Sequence, residues 1–220
     1  RIDFSVQRKS HYITDFSIMQ VFFFDYSYFF FFTHILYQGS DKNDDAFSKK
    51  YPKICGQAGS AFFLLVVFLG CINHFVYDWS HGLALAALFC PVSESTWEHL
   101  KLLFFPFLLS SLLYYYKYKP RTARFLYSRF LGAVCGICSI IVLFYTYTGI
   151  TGQSFLIIDI LIFCLSTGLS FLMSSFFYQT LSSIPSSTVS AALWIILSFA
   201  FFFFTCYPLN LPLFFPPDIV

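Results

Sequence analysis

Phe89-Cys-Pro-Val-Ser-Glu-Ser-Thr-Trp-Glu-His-Leu-Lys-Leu-Leu-Phe-Phe-Pro-Phe-Leu-Leu109 is the place where charge crowds against a long apolar run. Glu94, Glu98, His99 and Lys101 arrive within about two helical turns, and the chain then turns almost purely hydrophobic. A soluble amphipathic helix would instead spread its polar residues along one face. A charged head followed by an apolar body reads as a non-cytoplasmic loop feeding a membrane helix. Ser95-Thr-Trp-Glu98 matches a capping box, in which Ser95 caps the first turn and Glu98 reaches back to the Ser95 amide. The helix that follows runs from about Trp97 to Tyr116, and Pro106 inside it removes a backbone donor and predicts a bend or break near Leu102.

Composition agrees with lipid as the solvent. Of 220 residues 58% are hydrophobic and 11% charged, against about 25% charged in ordinary soluble domains. Mean hydropathy is +0.70. A net charge of +2 is too small to argue for a nucleic-acid partner. The seven cysteines fall mostly inside apolar runs, where a thiol behaves as a small hydrophobe. Cys135-Gly-Ile-Cys138 has redox-motif spacing but lies mid-span, with no histidine or second pair nearby.

The predicted fold is an all-α polytopic transmembrane bundle of five spans, with room for an extra N-terminal hydrophobic helix. Residues 1–54 read as an N-terminal extension, weakly ordered or an additional hydrophobic segment. Residues 16–38 are long enough to cross, but Asp15, Asp25 and His34 interrupt or flank them, and a natural start near Lys49-Lys50 is expected. The transmembrane domain is 55–208, and 209–220 form an irregular Pro-rich tail. The spans are Ala61–Tyr77, Trp97–Tyr116, Phe130–Tyr147, Phe155–Tyr178 and Val189–Tyr207. Gly82–Phe89 is too short to cross and reads as interfacial or re-entrant. Gly132 and Gly136 have the spacing that lets membrane helices approach closely.

Lys49–Lys53 and the Lys117–Arg129 block fall on one side of this topology, which predicts that side to be cytoplasmic. The 78–96 loop and the C-terminus are then outside a cell membrane. This collects the polar residues near the outer leaflet. The candidate catalytic residues are His74, Asp78, Glu98, His99 and Asp159, and the candidate metal ligands are His74, Glu98, His99 and Asp159. His74 and Asp159 are expected to face each other or a shared polar cavity, because an intramembrane carboxylate costs about 2.5–3.5 kcal/mol and needs a partner. Glu98 and His99 diverge by about 100° on a helix, so a small site does not readily take both. Glu94 reads as a solvated loop residue. The sequence names no cofactor.

These motifs resemble an uncharacterised family of small bacterial integral membrane proteins whose signature is Pro-Val-Asn-Glu-Ser-x-Trp-Glu-His-Leu-Lys. Pro91-Val-Ser-Glu-Ser-Thr-Trp-Glu-His-Leu-Lys101 carries the likeness, with Ser93 where the signature has Asn. Asn73-His-Phe-Val-Tyr-Asp-Trp-Ser80, Phe144-Tyr-Thr-Tyr-Thr-Gly149 and Asp159-Ile160 extend it over roughly residues 55–215. The resemblance implies membrane location and a helical fold, and no activity. Three functions follow from the residues. The first is a non-enzymatic or accessory membrane protein, with the bilayer and another membrane protein as partners. The second is a metal-assisted intramembrane enzyme using the polar cluster. The third is a small proton- or cation-coupled transporter, against which stands the lack of visible inverted repeats.

Overall fold

The computed structural model describes residues 57–216. The expectations for residues 1–56, including the hydrophobic segment and the start near Lys49, lie outside them. Every regular element among the described residues is helical. In order these are α1 (Gln57–Trp79), α2 (Ala84–Phe89), α3 (Thr96–Tyr118), α4 (Thr122–Thr151), α5 (Leu156–Thr180), α6 (Ser187–Cys206) and a single 3-10 turn, Pro212–Phe214. Among the described residues four helices are long and apolar enough to cross a membrane: α1, α4, α5 and α6. α3 is not among them.

α3 is nevertheless the helix around which the others pack. Leu100, Leu103, Phe104 and Phe107 are fully buried and join Val66, Ala133, Phe171, Trp194 and Phe201 in one core. α3 runs antiparallel beside α1 over its length. His74 meets His99 at one end, with ring centroids 5.3 Å apart, and Phe62 meets Tyr114 at the other, at 5.4 Å. The helix continues unbroken through Pro106. The carbonyl that this proline deprives of its helical donor is that of Leu102. Gly70 of α1 is packed against it: a Cβ there would lie 2.8 Å from the Leu102 oxygen and collide with Phe163.

The closest helix pair is α4 against α5. A side chain at Gly132 or Gly136 would run into Ser174 or Ser170 and into the carbonyls of Ser170 or Ser166. Small residues therefore face each other on both helices, as the Gly132/Gly136 spacing predicts. The turn between the two is closed by Gly152 at φ +74°, a conformation in which a Cβ is strained.

Two expectations need correction. α4 begins at Thr122, so Arg124 and Arg129 lie within a helix instead of a loop. Arg129 is no interfacial anchor: it is 1% exposed. Its guanidinium carbon lies 4.2 Å from the centre of Phe107 and 4.5 Å from that of Phe171. Its Nε donates to Ser111 Oγ at 2.9 Å and its Nη2 to Ser110 Oγ at 3.3 Å. Ring faces and hydroxyls thus replace water around this cation. After α6 the described part of the tail, residues 207–216, has one 3-10 turn and folds back on the bundle. Phe214 is buried against Trp97 and Phe204, with centroids at 5.0 and 5.5 Å.

Candidate metal centre

One end of the bundle gathers the last turns of α1, α4 and α6 with the first turns of α3 and α5. Three contacts fix this: His74 with His99, Tyr147 with Asp159, and Thr205 with Glu98. The α2 loop covers the same end. Asn73 fastens it, its Nδ2 donating to the Phe89 carbonyl at 3.0 Å while its Oδ1 accepts from the Cys90 thiol at 2.9 Å. Burial pushes the Cys90 thiol up, against an opposing pull from Lys101.

Ser95 caps α3 by accepting from the Glu98 amide at 3.3 Å. The reciprocal half of the capping box is not made. The Glu98 carboxylate instead accepts from the Val92 amide at 3.1 Å, Thr205 Oγ1 at 2.9 Å and Lys101 Nζ at 2.7 Å. Lys101 is fully buried and also donates to the carbonyls of Ala87 at 2.9 Å and Cys90 at 3.3 Å. Glu98, named from the sequence as a catalytic and metal candidate, thus ties α2, α3 and α6 together.

His99, one residue on, points elsewhere. Its Nδ1 lies 2.9 Å from the Ser95 carbonyl. A carbonyl only accepts, so Nδ1 carries the proton and Nε2 is left as a lone-pair donor when the ring is neutral. Nε2 lies 3.3 Å from Glu94 Oε2. His74 packs beside the same ring, and its Nδ1 is buried without a hydrogen-bond partner. One donor atom each from His74, Glu94 and His99 lies within 4.8 Å of the others. A tetrahedral ion held at about 2.1 Å would draw such donors to roughly 3.4 Å apart, a small side-chain adjustment. The His99 contact holds the Glu94 carboxyl below the ordinary carboxylate range, outweighing the opposing effect of partial burial. Glu94 is the loop residue that the sequence left to solvent.

The other candidates are placed differently. Asp159, in the first turn of α5, accepts from the Tyr147 hydroxyl, which in turn accepts from the Phe155 amide at 3.2 Å. The partner that this carboxylate needed is thus a tyrosine of α4. Asp159 is within electrostatic range of His99, and the group His74 meets is His99. Asp78 is exposed. Only the pairing of a histidine with a loop carboxylate just ahead of the N-cap could have flagged Glu94 in advance.

No curated protein and no solved structure matches the chain. Residues 60–218 match the family of unknown function DUF6512, so this membrane-type helical chain belongs to that family.

Proposed function

We propose that the chain is a five-span membrane protein that binds a divalent transition-metal ion of the zinc class through His74, Glu94 and His99. The observation that carries this is the convergence of the three donors, with the His99 tautomer already set by Ser95. Two imidazoles and one carboxylate are a donor set that suits zinc. The tethering role that the sequence put first falls to Glu98, and its neighbour His99 is left for chemistry.

The fifth span is α3. Its 23 residues reach roughly 34 Å at 1.5 Å per residue, enough for the apolar core of a bilayer. It keeps pace with α1 from His99 to Tyr114. Its low apolarity is no obstacle, since Glu98 and Lys101 point into protein and satisfy each other. Lys117, Lys119, Arg121 and Arg124 sit at the end opposite the metal ligands, which supports a cytoplasmic basic end and an outer metal end. Outside labelling of single-cysteine variants should reach position 153 and spare position 122.

Elemental analysis of the full chain, purified in detergent and dialysed against zinc, tests the metal reading. The expected result is about one ion per chain, lost in His74→Ala and in His99→Ala and kept in Asp78→Asn. A folded wild-type chain that takes up no zinc, cobalt or nickel would reject it.

A further inference from the structure

We infer that this centre is open at one coordination position and that the position receives the oxygen-donor headgroup of an amphiphile lying in the membrane interface. The inference rests on the metal reading above. Structural zinc sites are closed by four protein ligands, whereas sites that take an exogenous ligand keep one position free. Among the described residues the other donors at this end are either engaged or outside the cluster. Glu98 accepts from Lys101, Val92 and Thr205. Asp159 accepts from Tyr147. The Cys90 thiol donates to Asn73. Asp78, His81 and Cys206 are exposed and outside the donor cluster. Three donors remain, and a four-coordinate ion needs one more.

The centre is also reachable. The Glu94 side chain is 69% exposed and that of His99 32% exposed. An apolar step begins directly beside a ligand: the Phe75 ring lies 5.1 Å from that of His74 and stacks on Trp79 at 5.8 Å. Phe75 and Trp79 are 48% and 66% exposed, on a helix long and apolar enough to cross a membrane. Aromatic rings at such a helix end favour the headgroup level, where one edge is wet. A cation with a free position, next to two ring faces at that depth, suits a molecule with an anionic oxygen-donor head and an alkyl tail. A small hydrophilic anion would use the metal and ignore the rings.

The test uses the full chain in nanodiscs, loaded with cobalt, and two hydroxamates that bind metal through the same oxygens. One is acetohydroxamate and the other decanohydroxamate. Cobalt visible absorption reports ligation. Both probes should change the spectrum, with decanohydroxamate half-saturating at a concentration at least about tenfold lower. The double variant Phe75→Ala/Trp79→Ala should take up cobalt and bind acetohydroxamate normally, yet lose most of that advantage. The variant comparison removes the contribution of simple partitioning into the bilayer, which both proteins share. Cobalt uptake with no response to either probe means a closed centre and overturns this inference alone. Equal half-saturation, or an advantage untouched by the variant, overturns the amphiphile. Failure to take up cobalt overturns the metal reading and this inference with it.

Discussion

Glu98 and His99 are adjacent in sequence and opposite in circumstance. Glu98 is buried, paired with a buried lysine, and surrounded by donors from the loop after α2, from α3 and from α6. His99 is half-buried, with one nitrogen fixed by a carbonyl and the other shared loosely with an exposed carboxylate. The roughly 100° step between neighbouring helical residues sends one into the protein and the other to its rim. Residue type does not separate glue from chemistry here, because Glu and His are equally good ligands. Saturation does: a buried carboxylate with three of its roughly four acceptor sites taken, one of them by a lysine, has little left for an ion.

Substitutions on the two sides should part ways. The largest effect is expected for Lys101→Ala, which leaves Glu98 buried without its counter-charge. A cost of about 3–5 kcal/mol is typical for one broken half of a buried pair. Thermal unfolding in detergent should show a large drop, and Lys101→Met with Glu98→Leu should recover part of it. Next comes His99→Ala, which should weaken zinc binding at least about a hundredfold by competition with a chelator, with metal-free stability changed by no more than about 1 kcal/mol. An unfolded His99→Ala protein would dissolve the contrast.

A smaller effect belongs to Tyr147→Phe, which removes the hydroxyl bridging Asp159 and the Phe155 amide and should lower stability by about 1 kcal/mol. Asp159→Asn keeps an acceptor for that hydroxyl and should be milder still, with zinc uptake preserved. The smallest is Glu94→Gln, within about 0.5 kcal/mol because the pair is exposed. Its pH dependence has a definite sign. The folded Glu94 carboxyl is held below its ordinary value by His99, so its contribution is present above the unfolded value and is lost as pH falls through the folded one. Melting curves of wild type and Glu94→Gln should therefore differ near neutrality and merge in acid.

The helices were legible because apolar runs of this length leave few alternatives, and the close α4–α5 packing was legible in Gly132 and Gly136. The helix starting at Ser95 was legible in its cap. The destination of the Glu98 side chain was not, since the Val92 amide and Thr205 reach it only after a loop and a distant helix have folded. Glu94 was missed for a related reason: a linear string does not say which way a loop carboxylate ahead of the N-cap turns. Arg129 was misplaced because a positive-charge rule counts residues without asking whether serines and ring faces shelter them. α3 shows the limit of apolarity as a guide. The helix facing the most protein needs the least lipid-like surface.

The seating of Phe214 against Trp97 has a consequence for how the protein is made. The chain emerges from the ribosome in order, so the start of α3 is made well before α6 and the tail. The uncovered side of Trp97 then waits for residues 212–214, and Glu98 waits for the Thr205 hydroxyl. The first turn of α3 is thus among the last places to acquire its final neighbours. Any factor that attends the nascent chain would have to leave that turn only after α6 has been delivered.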